Sequence, residues 1–194
     1  MFKVDMQELI EYITKFIQPN EEELEDILRD IQYTRFVKNE FLIRQGEMTQ
    51  SLMFILKGVA RAYYISEQEL EHTSDFIFEG QPVIHIEAFT KNTPSSVNIV
   101  AIEDTEIIWV SRDVFFNFLE KHPKYEGVLR DMIMNYMSIE MQHMKLVRMG
   151  SSWERYEALL KHRPDIIRRV PLKYIASYLN MALETLSRIR SGKL

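Results

Sequence analysis

The sequence predicts an α+β chain in three parts: an N-terminal β-roll preceded by helices, one long helix, and a C-terminal pair of short helices joined by a tight turn. Three observations carry this. Short β-rich runs separated by turn residues fill Thr34 to about Val110. An unbroken helical period runs from about Lys124 to Met149. Basic charge collects in residues 145–194. The expected boundaries are 1–122, 123–149 and 150–194.

Residues 5–17 and 21–32 read as helices. Leu9, Ile10, Ile13, Phe16 and Ile17 fall at helical spacing, Pro19-Asn20 breaks the pattern, and Asn20 caps a first turn rich in acids. The runs RFV, EFLIRQGE, SLMFILKG, VARAYYI, HTSDFIFEG, SVNIVAIED and TEIIWV follow, with turns about 8–12 residues apart, the texture of a sandwich, roll or barrel. Gly46, Gly58 and Gly80 sit between runs, where a tight turn or positive φ is needed. Asp113 to Leu119 is a short helix ending near His122-Pro123.

In the long helix, Tyr125, Leu129, Met132, Tyr136, Ile139, His143 and Leu146 recur at alternating four- and three-residue steps. Such a seam packs against one partner helix, so Leu129, Met132, Tyr136, Ile139, His143 and Leu146 are the expected homodimer face; a core-facing helix within one chain is the alternative. Gly150-Ser151-Ser152 interrupts the period, which makes Gly150 the candidate hinge.

Net charge is −5, which alone argues against a polyanionic partner. Its distribution reverses that. Residues 145–194 hold eleven Lys/Arg against four Asp/Glu, a net +7, leaving −12 for residues 1–144. The chain has no cysteine, so disulfides, thiolate metal sites and thiol switches are excluded. No apolar run approaches the roughly 18 residues that span a bilayer, and the first residues carry acids among the apolar positions, unlike a secretory signal. A cytoplasmic chain without a membrane partner is expected.

In the last stretch, Leu172 to Leu179 fits a short helix with Ile175, Ala176 and Leu179 inward, Asn180 fits the turn, and Leu183 to Arg190 fits a second helix burying Leu186 and Ile189. The second helix would show Glu184, Thr185, Ser187, Arg188 and Ser191 to solvent. Arg188 suits guanine O6/N7 and Glu184 suits cytosine N4. Lys173, Arg190 and Lys193 suit phosphates, and Ser177 completes the candidate DNA-facing set.

The block Leu183-Glu184-Thr185-Leu186-Ser187-Arg188-Ile189 resembles the recognition helix of the Crp/Fnr family of transcription regulators. The stretch ERYEALLKHRPDIIRRVPLKYIASYLN resembles that family's linker and first motif helix, and RQGE, FILKGVARAYY and FIFEGQPV stand in the order of its β-roll. The resemblance implies a double-stranded β-helix (jelly-roll) cyclic-nucleotide-binding-like domain, a dimerisation helix and a winged-helix-like tail with a reduced or absent wing. It implies a homodimer on near-palindromic double-stranded DNA, RNA polymerase as a further partner, a small-molecule effector, no cofactor and no enzymatic activity.

Two departures stand out. Family members that bind cyclic nucleotides have Gly-Glu early and Arg-Ser late in the phosphate cassette. Alignment of this chain puts Ile84-His85 and Ser95-Ser96 there, so the pocket is expected to be degenerate and not to hold cyclic AMP. Ala182 stands where the family has a Ser or Thr cap, and Asn180 where it has Gly. Two other readings compete: a ligand-binding or protein-interaction module that has lost DNA binding, and a cupin-like metal enzyme using His72, His85 and Glu87.

Overall fold

A computed structural model describes residues 6–192. Two short helices come first, α1 (Met6–Ile13) and α2 (Glu21–Asp30). Asn20 caps α2 through a reciprocal box: its side chain accepts from the Glu23 N–H, and the Glu23 carboxylate accepts from the Asn20 N–H. The predicted span 5–17 shortens because residues beyond Ile13 form turns instead.

Eight strands make two antiparallel four-stranded sheets, ordered β1-β8-β3-β6 and β2-β7-β4-β5. They are β1 (Gln32–Phe36), β2 (Phe41–Ile43), β3 (Ser51–Lys57), β4 (Ala60–Ile65), β5 (Glu71–Ile77), β6 (Pro82–Val83), β7 (Asn98–Ala101) and β8 (Thr105–Ser111). This is the expected jelly-roll. Ile43, Ile55, Val83, Ile99, Ala101 and Ile107 fill the space between the sheets. Gly58, at φ +112, turns β3 into β4; a Cβ there would lie 2.7 Å from the Thr105 Cα, so only glycine fits. Helix α3 (Ile86–Lys91) interrupts the strands in the cassette.

The outer face of the first sheet is also buried. Leu9, Tyr12, Ile13 and Ile31 of the N-terminal helices cover Ile108. Helix α4 (Arg112–Lys121), capped by Ser111, covers its other end through Phe115 and Leu119. A 3₁₀ turn, Pro123–Tyr125, leads into α5 (Glu126–Val147). Buried Glu23 ties α2 to this junction: Lys124 lies 2.6 Å away and the Tyr125 hydroxyl donates at 2.8 Å. The Lys124 bond, helped by the capping bond from Asn20, holds the Glu23 carboxyl down at about 2.

Helices α6 (Ser152–His162), α7 (Pro164–Arg169), α8 (Leu172–Tyr178) and α9 (Leu183–Arg190) follow among the described residues. The break before α6 is set by Ser151, whose hydroxyl caps the Glu154 N–H while Glu154 accepts from the Ser151 N–H. Gly150, the candidate hinge, lacks a positive φ, and a Cβ there would meet only the end of the Glu154 side chain, at 3.4 Å. The long helix ends at its C-cap Arg148 and the box starts α6, neither calling on glycine's freedom. Nor does the tail stand apart: Val59, Phe76, Phe78 and Ile102 of the roll share one core with Leu159, Ile166, Ile175, Leu179, Leu186 and Ile189.

The long helix bears on both readings of its seam. Leu129, Met132 and Tyr136 pack against the roll and α4. Ile139 lines a small cavity in the roll, Leu146 packs on the tail core, and His143 stacks on Tyr178 at 4.1 Å while its Nε2 donates to the Tyr178 carbonyl at 2.8 Å. Each seam residue is thus half-buried against its own chain, which fits the core-facing alternative. The opposite face shows Met134, Met137, Met141 and Met144, between 47% and 61% exposed, at three- and four-residue steps.

Candidate nucleic-acid interface

Helices α8 and α9 form the expected helix-turn-helix. Ile175, Ala176 and Leu179 face inward, joined by buried Tyr178. Asn180 takes φ +49, a left-handed conformation that Asn tolerates, and the Met181 N–H donates to the Ala176 carbonyl at 3.0 Å to close the turn. Ala182 occupies the N-cap of α9 with no side-chain bond, as its methyl requires.

On α9, Leu186 and Ile189 are buried in the core. The other side carries Glu184, Ser187, Arg188 and Arg190, all exposed, with Thr185 half-buried beside them. Glu184, Ser187 and Arg188 share a face because their spacing is one helical turn. Among the described residues, neither Glu184 nor Arg188 has an ion-pair partner. Lys173 is exposed at the start of α8, with its ammonium 4.7 Å from the Tyr174 ring. Lys193 lies outside the described residues.

Part of the tail's positive charge is paired with acids of the roll. Arg169 makes two 2.7 Å bonds to Glu79 and another to Glu103, both on the roll. Burial would raise the Glu79 carboxyl, but Arg169 and the Gly58 N–H outweigh it and hold it at about 2. Arg163 donates to the Phe76 carbonyl at 3.2 Å and lies 3.8 Å from Asp75. The charge count could not separate these internal pairs from free cations.

Ser177 is held in the same way. Its hydroxyl accepts from the Thr73 N–H at 2.9 Å and donates to the Glu71 carbonyl at 3.2 Å, both on β5. In this conformation it has no donor left for a phosphate, unlike Lys173. Beside it, Arg61 of β4 is only 2% exposed. Its guanidinium lies 4.3 Å from the Tyr63 ring and 4.2 Å from the Tyr174 ring, donates to Thr73 Oγ1 at 2.8 Å, and pairs with Glu71 at 2.6 Å. The first motif helix is thus clamped to the roll. No local pattern signals this, because Arg61 sits in a strand far from Tyr174 in the chain.

Within the roll, the cassette residues surround a cavity of about 60 Å³. Ile84 is buried, and His85 Nε2 lies 3.2 Å from the Ser96 hydroxyl. Ser95 is turned into the backbone, donating to the Val97 carbonyl at 2.8 Å. Asp75 and Glu140 line the cavity, and no Lys or Arg does. Burial pushes Asp75 up to about 7 against the partial pull of Arg163, and burial raises Glu140 as well. The site is acidic where a cyclic phosphate would need a cation.

The metal alternative finds no constellation. His72 stacks on Tyr64 at 5.2 Å, His85 meets Ser96, and Glu87 pairs with Lys91 at 2.8 Å. Among the described residues no three such groups converge. No described helix is long and apolar enough to cross a membrane.

Roll, long helix and terminal helix-turn-helix in one chain make an architecture shared with solved structures of the Crp/Fnr family. Residues 33–122 match the family described as the cyclic nucleotide-binding domain. Among solved structures, FixK2 from Bradyrhizobium japonicum is similar at 18% identity, covering 84% of this chain and 83% of that one, with a TM-score of 0.72. A Crp/Fnr-family transcriptional regulator from Eubacterium rectale is similar at 15% identity over 92% and 87% of the two chains, TM-score 0.73. A CooA variant from Carboxydothermus hydrogenoformans is similar at 15% identity over 98% and 84%, TM-score 0.71. At these identities the likeness shows the fold. No curated protein sequence matches the chain.

Proposed function

We propose that the protein is a cytoplasmic transcription regulator that binds a near-palindromic DNA site as a homodimer, each chain placing α9 in a major groove. The observation that carries this is the division of α9: Leu186 and Ile189 anchor it while Glu184, Ser187 and Arg188 stand free on one exposed face, Thr185 beside them. Short polar and Arg side chains near the start of such a helix read base edges, and Lys173 and Arg190 flank them for phosphates.

Two chains pair through the methionine stripe of α5. Met134, Met137, Met141 and Met144 give a narrow, flexible apolar seam at coiled-coil spacing, with Arg130 and Arg148 continuing the step at either end. The two recognition helices then need to sit about 34 Å apart to enter successive major grooves. RNA polymerase is the partner such a promoter-bound dimer would recruit or obstruct.

The roll does not respond to cyclic AMP or cyclic GMP. A cavity of about 60 Å³ lined by Asp75 and Glu140 supports this, because it offers a cyclic phosphate no cation. Selection of binding sites from random duplexes with the purified full chain, at stated salt, tests the main proposal. Recovery of a two-fold symmetric motif with half-sites about 10 base pairs apart is expected. Recovery of no enriched motif would leave a chain with this fold that has lost DNA reading.

A further inference from the structure

A second and larger cavity, about 370 Å³, lies outside the roll, between the first sheet and the helices that cover it. Leu52 and Phe54 of β3 form its floor, and Ile17 closes it from the end of the N-terminal helical segment. Phe118 of α4 and Val128 and Met132 of α5 make the far wall.

The polar groups facing its interior are engaged elsewhere, and Asn117 and Asp30 stand on its exposed rim. The Tyr125 hydroxyl donates to Glu23 at 2.8 Å, and Trp109 Nε1 donates to Thr34 at 3.0 Å. On the rim, Asp26 pairs with Lys121 and, at 3.2 Å, with Arg29. The four charged rim residues, Asp26, Arg29, Asp30 and Lys121, cancel. Water entering the interior would therefore lack its usual two to four partners, and a charged ligand would be desolvated without compensation. An apolar molecule loses nothing of that kind and restores contacts that an empty cavity forgoes. The size suits a small molecule: a cavity of about 150 Å³ already takes up benzene, so this one, at about 370 Å³, has room for about two to three rings.

We propose that this cavity binds an uncharged, apolar small molecule of about two to three rings or equivalent volume. Met132 lines both this cavity and the acidic one inside the roll, and Val128 and Met132 belong to the first turns of the helix that bears the methionine stripe. Occupancy therefore bears on α5. That regulatory consequence rests on the DNA-binding reading; the binding itself does not.

The test is titration of the full chain with N-phenyl-1-naphthylamine, an uncharged probe that fluoresces when it leaves water. Saturable binding of one probe per chain is expected. Val114→Trp, from a half-buried α4 position on the cavity wall, should weaken it about tenfold or more while circular dichroism and dimer mass stay unchanged. Ile17→Trp fills the space from the opposite wall should the first variant fold poorly. Met137→Gln, on the exposed stripe, should leave the affinity as it was. Unsaturable binding, unchanged affinity in both filled variants, or loss of signal only in Met137→Gln would each overturn the proposal. None of these readouts involves DNA, so failure of operator binding is a separate result.

Discussion

The two faces of α5 carry the same spacing and opposite fates. Leu129, Met132, Tyr136, Ile139, His143 and Leu146 lie against the roll and tail of their own chain, while Met134, Met137, Met141 and Met144 face out. A three–four repeat announces a stripe of a certain width and says nothing about what covers it. The inner stripe mixes aromatic, branched and hydrogen-bonding residues fitted to particular neighbours, as His143 is to Tyr178. The outer stripe is unbranched methionine, which adapts to a partner surface.

The sharpest way to break this contrast is charge. Met137→Glu together with Met141→Glu should convert the dimer to monomer in sedimentation or light scattering at micromolar chain, because four like charges would meet across the seam. The same masses for variant and parent would place the dimer contact elsewhere. Inner-face changes should act on stability instead. Arg61→Ala removes a buried cation from between Tyr63 and Tyr174 and should cost about 3 kcal/mol in urea unfolding, with the dimer intact at low denaturant. His143→Ala, which loses one ring stack and one bond to a carbonyl, should cost about 1–2 kcal/mol in the same assay.

A smaller effect sharpens the comparison through pH. Asp75 lies under the inner face, where Glu140 of α5, Arg163 and Asp165 of the tail, and Tyr178 of α8 act on it. Its carboxyl is raised to about 7, above the roughly 3.9 of an unfolded chain. Between those values the folded protein holds the proton more tightly, so its contribution to stability is full below about pH 4 and declines as pH rises through about 7. The midpoint difference between parent and Asp75→Asn should therefore grow in the variant's favour from pH 5 to pH 8. A constant difference across that range would show that Asp75 titrates normally.

Much of this was legible in the sequence, for physical reasons that differ by region. Strands of the roll are short, rich in branched and aromatic residues, and bounded by turns, so each announces itself locally. The helix-turn-helix was legible because Ala176, Asn180, Leu186 and Ile189 occupy positions whose chemistry the motif dictates. Contacts between distant segments were not. The engagement of Ser177 by β5, the Arg61 clamp, and the internal pairing of Arg163 and Arg169 depend on residues brought together only by the fold. Charge counting could not tell that those cations are paired within the chain, and the heptad rule could not tell which surface the α5 stripe meets, since neither method sees a neighbour.

The central claim is that α9 reads DNA through Arg188 and its neighbours. Competition titrations of parent and Arg188→Ala against a selected operator and a scrambled duplex, at one stated salt concentration, test it most directly. The account predicts a loss of about 1–3 kcal/mol on the operator, little change on the scrambled duplex, and relaxed preference at one base pair of each half-site. Equal affinity of both proteins for both duplexes would contradict it.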